Sequence, residues 1–281
     1  IQNAIWWVES AGLSGIRVDT YSYPDKAFLS QWTNRIMDEY PNFNIVGEEW
    51  SVNPAITAYW QAGSHRHDDY DSALPSVIDF PLQAAVVEAL SNDESWNSGF
   101  ISVYETLATD FLYGDPNNLV IFPDNHDMSR IFTQLGHDKD KWNMAMTLFL
   151  TTRGIPQVFY GTEILMGNEG SEDHGIIRSD FPGGWPSDND KNAFTGHGLT
   201  DDEKNTLQEL AILFLYDKAF EGAAGFNVTQ DMTMFIALHA RIPLLNTGLR
   251  GYGGWYGDQS VRLLYFDLAL GTTEDNVLTR D

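Results

Sequence analysis

Apolar positions along this chain change period repeatedly. SGIRVDTY is a short apolar run that ends in charge, as a buried strand does. In the following DKAFLSQWTNRIMDEY, Phe28, Leu29, Trp32, Ile36 and Met37 recur at helical spacing, with Asp25 at the start and Pro41 as the stop. FNIVGEEW repeats the strand pattern. The alternation continues as PSVIDFP before the helical PLQAAVVEAL, as NNLVIFPDNHD before KWNMAMTLFLTTRG, and as IPQVFYGTE before a polar loop and a last helix, EKNTLQELAILFLY. Another helix, carrying Ile5, Trp6 and Val8, precedes the first strand. Near-continuous apolar strands alternating with amphipathic helices predict an α/β fold, a parallel sheet covered by helices, either open and doubly wound or closed into a barrel. Three strands end in VD, GE and NHD, so ionisable groups collect at carboxyl ends, where both architectures place their chemistry.

Two long polar stretches break the alternation and read as surface or functional loops: QAGSHRHDDYDSAL, and MGNEGSEDHGIIRSDFPGGWPSDNDKNAFTGHG. After about residue 220 the strand-like runs MTMFIALHA and VRLLYFDLAL follow with GLRGYGGWYGD between them and no helical pattern. The expected division is a catalytic region over residues 1–220 and a small β-rich appendage over 221–281.

Composition narrows the function classes. A formal charge of −24 repels phosphate backbones and anionic headgroups, so nucleic acid and membrane insertion are not expected. The absence of cysteine removes disulfides, thiolate metal sites and a cysteine nucleophile together. Nine Trp and twelve Tyr are more than a core requires and suit a surface that stacks on flat or sugar-like ligands. No apolar run is long enough to cross a bilayer, and IQNAIWWVESAG lacks the basic region of a signal peptide. Because it begins with Ile, the chain is expected to be cut from a longer protein. Nothing in the pattern specifies an oligomeric state.

The strand-end carboxylates carry the candidate chemistry. Cleaving a glycosidic bond with retention takes one ionised carboxylate as nucleophile and one carboxylic acid to protonate the leaving oxygen, about 5–5.5 Å apart. Asp19 and Glu48 each directly follow an apolar strand. Strand alternation places Arg17 on the face of Asp19, where a guanidinium would keep a carboxylate ionised. Glu48 has no basic neighbour in sequence and Trp50 two residues on, which predicts a raised pKa and an acid role. Read alone, Asp19 could equally be a salt-bridged strand-end carboxylate, and Glu49 competes with Glu48.

GIRVD, VGEEW and FPDNHD, in that order and 29 and 79 residues apart (48 − 19 and 127 − 48), resemble signature segments of the α-amylase family of glycoside hydrolases, and GIPQVFYGTE resembles its last barrel strand. The resemblance implies a (β/α)8 TIM barrel, here about strands four to eight over roughly residues 1–215, acting on α-glucans or oligosaccharides. It implies Asp19 as nucleophile, Glu48 as acid/base, and Asp127 with His126 and Arg17 binding and distorting the sugar. TYSYPDK and SDFPGGW are most similar to the neopullulanase and cyclomaltodextrinase branch, which favours a periplasmic or extracellular bacterial location. Transglycosylation by the same carboxylates and a non-catalytic glucan-binding role are the rival readings.

Further expectations are less specific. Tyr23 with Tyr21 and Lys26 would wall the acceptor side, Trp50 would be a sugar platform or a core residue, and Arg130 would salt-bridge Asp127 or sit on the surface. His65, His67 and Asp68 are a candidate metal cluster, and residues 168–173 a candidate calcium loop without EF-hand spacing. Asn227 heads a glycosylation sequon. No cofactor is required, with calcium expected only in a full-length protein. The family's upstream D-x-x-x-N-H segment and first three strands are absent. Open sheet edges then predict poor stability and no hydrolase activity for the segment alone.

Overall fold

The computed structural model of the chain describes residues 1–210 and the strands Arg250–Tyr256 and Val261–Asp267. The run MTMFIALHA, the end of the last helix and Asn227 lie outside the described residues. Two compact units are distinguished, Ile1–Ile121 with Arg153–Ile155, and Phe122–Thr152 with Pro156–Asp281.

In the first unit, α1 (Gln2–Ala11) ends where Gly12 turns left-handed at φ 63°, a conformation open to glycine without steric cost. It leads into β1 (Gly15–Val18). Next come α2 (Lys26–Glu39), β2 (Asn44–Gly47), α3 (Pro54–Tyr59), β3 (Ser76–Val77), α4 (Phe80–Ser91), α5 (Ile101–Ala108) and β4 (Val120–Ile121). The caps follow the sequence: Asp25, Asn53 and Asp79 each accept a backbone N–H at the start of α2, α3 and α4. The strands β1, β2 and β3 pair in parallel and in that order. Ile78 bridges Val120 in parallel, and Ile155 N donates to the Leu119 carbonyl.

Tyr21, Leu29, Ile36, Ile45, Leu74 and Val77 bury the inner faces of the sheet and helices. Beneath them Arg153 joins Asp79 (2.5 Å) and takes both oxygens of Asp110 (2.6 and 2.9 Å). Burial pushes the Asp79 carboxyl up, against the pull of Arg153. Gly47 packs where a Cβ would stand 2.6 Å from Leu74 Cδ2 and 2.9 Å from Tyr21 Cγ. The glycine before Glu48 is therefore a packing requirement of the sheet.

The second unit contains α6 (Ile131–Gln134), α7 (Lys139–Thr151), Pro156 from the short β5 (Ile155–Pro156), α8 (His174–Ile177) and a helix over residues 201–210. Of IPQVFYGTE only those two residues are strand. On α7, Trp142, Ala145, Met146, Phe149 and Leu150 are buried. Asp124 is fully buried, accepting from Ile131 N and the Thr162 hydroxyl, each at 2.8 Å. Burial raises its pKa to about 6. Strands β6 (Arg250–Tyr256) and β7 (Val261–Asp267) form an antiparallel pair. The Gly-rich stretch expected to separate strands is thus itself largely a strand. No helix among the described residues is long and apolar enough to cross a membrane.

Gly47→Ala is expected to cost about 1–3 kcal/mol through overpacking, read as a lower urea midpoint at unchanged slope. Asp124 is raised above its unfolded value near 3.9, so the native state holds its proton more tightly. Its stabilising contribution is full below about pH 4 and is lost as pH rises through about 6. Stability of Asp124→Asn relative to wild type should therefore rise across that window in urea titrations, and a flat difference would refute this.

Candidate functional site

Register alone brings the first two carboxylates together. β1 and β2 pair Gly15 with Asn44 through Val18 with Gly47, so the next step along both strands sets Asp19 beside Glu48. Alternation puts Arg17, Asp19 and Glu48 on one face. Arg17 Nη1 contacts Asp19 Oδ1 at 2.7 Å, and its Nη2 contacts Glu48 Oε1 at 2.5 Å. The second oxygen of Glu48 accepts Thr20 N at 2.9 Å. The Glu48 backbone closes the turn, its N–H donating to Val18 O and its carbonyl accepting from Tyr21 N.

Glu48 has no basic neighbour in sequence, yet Arg17 is its partner in the structure. Arg17 lies 31 residues upstream, invisible to local spacing, and its planar fork serves both acids. What separates the two carboxylates is exposure: the Asp19 side chain is 66% exposed and that of Glu48 6%. Of the adjacent pair Glu48 and Glu49, it is Glu48 that meets Arg17 and Thr20 N.

Around this pair, Trp50 is half exposed with its ring 4.5 Å from that of Phe80, so one face packs and the rest stays accessible. Tyr23 is exposed. Tyr21 is fully buried, its hydroxyl 3.1 Å from that of Thr33, and so forms no wall with Tyr23 and Lys26. Lys26 is already engaged. Its ammonium meets the Tyr59 hydroxyl (2.5 Å) and Asp68 (3.3 Å) and lies 5.0 and 4.8 Å from the Tyr59 and Tyr70 ring centres. The Tyr59 hydroxyl also donates to Asp68 at 2.6 Å, and this bond, more than the Lys26 contact, holds the Asp68 carboxyl down at about 2. Asp68 therefore ties loop to helix, and no group of three or more His, Cys, Asp or Glu among the described residues could hold a metal ion. His65, His67 and Asp68, a candidate cluster by sequence only, are not such a group.

In the second unit, Asp127 is held at both oxygens. His126 Nε2 lies 3.0 Å from Oδ2, and Arg178 Nη2 donates to Oδ1 at 2.5 Å. Its backbone N–H donates to Asn125 Oδ1 at 2.8 Å. Arg130, expected either to salt-bridge Asp127 or to sit on the surface, does neither, and it is Arg178 that pairs with Asp127. Arg130 is instead fully buried, stacked 4.0 Å from the Phe159 ring centre and donating to the carbonyls of Ile177 (2.9 Å) and Tyr160 (2.5 Å). Burial, opposed by Asp124, lowers its pKa. Asn168, at the start of the candidate calcium loop, is buried, its side-chain oxygen accepting from Arg130 N and the Ser129 hydroxyl. Asp173 caps α8.

Arg178 escaped the sequence reading, although one signal was available. Between Asn168 and Asp190 it is the single Lys or Arg among six acidic residues, and a lone guanidinium in such a loop has a carboxylate to bind.

A model of the alpha amylase catalytic domain matches residues 3–195. A model of the glucose-regulated metallo-peptidase M90 family matches residues 170–263. In that stretch none of His174, His197 and His239 is followed by the Glu of an H-E-x-x-H zinc pair. Among curated relatives, alpha-amylase 3 of Dictyoglomus thermophilum is 31% identical over 66% of this chain and 35% of its own length. The beta/alpha-amylase of Paenibacillus polymyxa is 28% identical over 60% and 13%. A cyclomaltodextrin glucanotransferase of Geobacillus stearothermophilus is 29% identical over 62% and 23%. The chain thus spans about a third or less of these relatives.

Two solved structures share the fold. The alpha-amylase of Geobacillus thermoleovorans, complexed with acarbose, superposes with TM-score 0.58 at 22% identity over 95% of this chain and 48% of its own. The cyclic α-maltosyl-(1→6)-maltose hydrolase of Arthrobacter globiformis superposes with TM-score 0.59 at 14% identity over 82% and 44%. With the catalytic-domain model matched over more than half its length, and with the fold of part of the (β/α)8 barrel, the chain belongs to the α-amylase family.

Proposed function

We propose that this chain supplies the reacting carboxylates of a retaining enzyme that cleaves α-1,4 (or α-1,6) glucosidic bonds of starch-like glucans, cyclodextrins or maltooligosaccharides. The observation that carries the reading is the fork of Arg17 across Asp19 and Glu48 at the carboxyl ends of neighbouring parallel strands. Retaining glycosidases hold their two carboxyl groups about 5–5.5 Å apart, a distance one shared guanidinium can span. In the first step an oxygen of Asp19 attacks the anomeric carbon, the bond to the leaving sugar breaks, and the Glu48 proton passes to the departing oxygen. In the second, Glu48 takes a proton from water as its oxygen attacks the same carbon and releases Asp19. Two inversions return the original α configuration.

The exposed Asp19 suits a nucleophile that must reach the sugar, and the acid role of Glu48 is assigned on its sequence motif. Asp127 and His126 are assigned to the donor sugar's hydroxyls on their sequence motif. Trp50 and Tyr23 offer accessible rings for stacking. Residues 221–281 are assigned to a β-rich appendage, a reading supported by the β6–β7 pair. No step is assigned to calcium, and a periplasmic or extracellular location is retained from the likeness to bacterial glucan enzymes.

Transfer to a second sugar instead of water is a specific rival, since relatives of this chain are cyclomaltodextrin glucanotransferases. Both outcomes share the covalent intermediate and differ in the acceptor, so product analysis with a maltooligosaccharide separates them. In the full-length protein Asp19→Asn should lower kcat on the order of 10⁴-fold without lowering Tm. Glu48→Gln should lose activity on maltooligosaccharides yet keep a burst of aglycone release from an aryl glucoside whose leaving group needs no proton. Near-normal turnover by Asp19→Asn, or a β-anomer as first product by NMR, would contradict the assignment.

A further inference from the structure

We infer that Arg178 is a positioning residue for Asp127, and that the loop carrying α8 sets where this carboxylate stands. The inference rests on the reading of Asp127 as a sugar-binding acid. Three contacts converge on one guanidinium. Nη2 donates to Asp127 Oδ1 (2.5 Å) and to His174 Nδ1 (2.7 Å), while Nε donates to the His126 carbonyl (2.8 Å). Arg178 therefore grips both the carboxylate and the peptide immediately before it. With His126 on Oδ2, Asp127 has an oxygen fixed on each side and its rotamer is determined.

An exposed ion pair ordinarily adds little to stability, because two flexible side chains must be ordered to make it. At 43% exposure the Arg178 side chain falls in that class. Its backbone, however, is already ordered from below. Buried Arg130 donates to Ile177 O, and the Tyr160 hydroxyl donates to Arg178 O (2.9 Å) and Ser179 O (3.1 Å). Asp173 caps the short helix through Gly175 N at 2.7 Å. The entropic cost is met within the loop scaffold, and what the guanidinium adds is the placement of Asp127. A carboxylate that binds the distorted sugar most strongly in the transition state acts on kcat more than on KM.

The test uses the full-length protein. In Arg178→Ala, kcat on a maltooligosaccharide should fall on the order of a hundredfold, as for a misplaced positioning group, with KM within about twofold and Tm little changed. Millimolar guanidinium chloride, against potassium chloride at equal ionic strength, should restore part of that kcat. Arg178→Lys keeps the charge without the fork and should stay folded with a reduced kcat, so it serves if the alanine variant does not fold. In an Asp127→Ala background, loss of Arg178 should have almost no further effect. Normal kcat in either Arg178 variant, or a loss confined to KM, would overturn the inference while leaving Asp127 in place if Asp127→Asn is inactive. Near-normal activity of Asp127→Asn would instead sink the underlying reading.

Discussion

The Arg17 guanidinium is the contact around which the reacting groups of the first unit are arranged. Its two terminal nitrogens take Asp19 and Glu48 from neighbouring strands, and the backbone makes that geometry unavoidable. A parallel register that pairs Val18 with Gly47 delivers the two acids side by side one step later, and alternation turns Arg17 to the same face. The register depends in turn on close packing beneath it. Gly47 leaves room for Tyr21 and Leu74, and Tyr21 N closes onto Glu48 O just past the strand ends. Core packing, strand register and charge placement are thus one constraint seen at three scales.

The second unit solves a comparable problem with a loop. Asp124 and Arg130 are both fully buried. Asp124 accepts from Ile131 N and the Thr162 hydroxyl, and Arg130 donates from Nε and Nη1 to the carbonyls of Ile177 and Tyr160, while its buried Nη2 has no hydrogen-bond partner among the described residues. Burying such groups is tolerable where they are hydrogen-bonded, so the cost of Arg130 falls on that one nitrogen. Their effect is to make an irregular segment behave as a fixed support, and Arg178 carries that rigidity to Asp127. FPDNHDMSR therefore contains two classes of polar residue in one short run, with Asp124 and Arg130 inside and His126 and Asp127 reaching outward.

Local signals gave the elements well. The capping acid Asp25 and the helical spacing of α2 and α7 are properties of contiguous residues, and each is where the pattern puts it, whereas the apolar run IPQVFYGTE holds only two strand residues. The failures concern partners distant in sequence. Local spacing shows Glu48 no adjacent base, because Arg17 is 31 residues away, and it leaves Arg130 either as a salt-bridge partner of Asp127 or on the surface. In the structure spacing misleads in both directions: the adjacent arginine is drawn into the interior by Phe159, Tyr160 and Asp124, and the true partner arrives from a loop 51 residues on. Tyr21, grouped with Tyr23 as a sugar wall, is taken by the core. The Gly-rich run at Arg250–Tyr256 hid a strand because pairing depends on its neighbour β7 as much as on its own composition.

The proposed chemistry rests on a covalent bond between Asp19 and the sugar. The direct measurement is peptide mass spectrometry of the full-length protein, acid-quenched during turnover of a fluorinated α-glucosyl fluoride that slows release of the intermediate. One glycosyl adduct is expected, on the peptide containing Asp19 and fragmenting to that residue. An adduct on Glu48 or on a peptide from another part of the chain, or steady turnover with no adduct under conditions that trap a retaining relative, would contradict it.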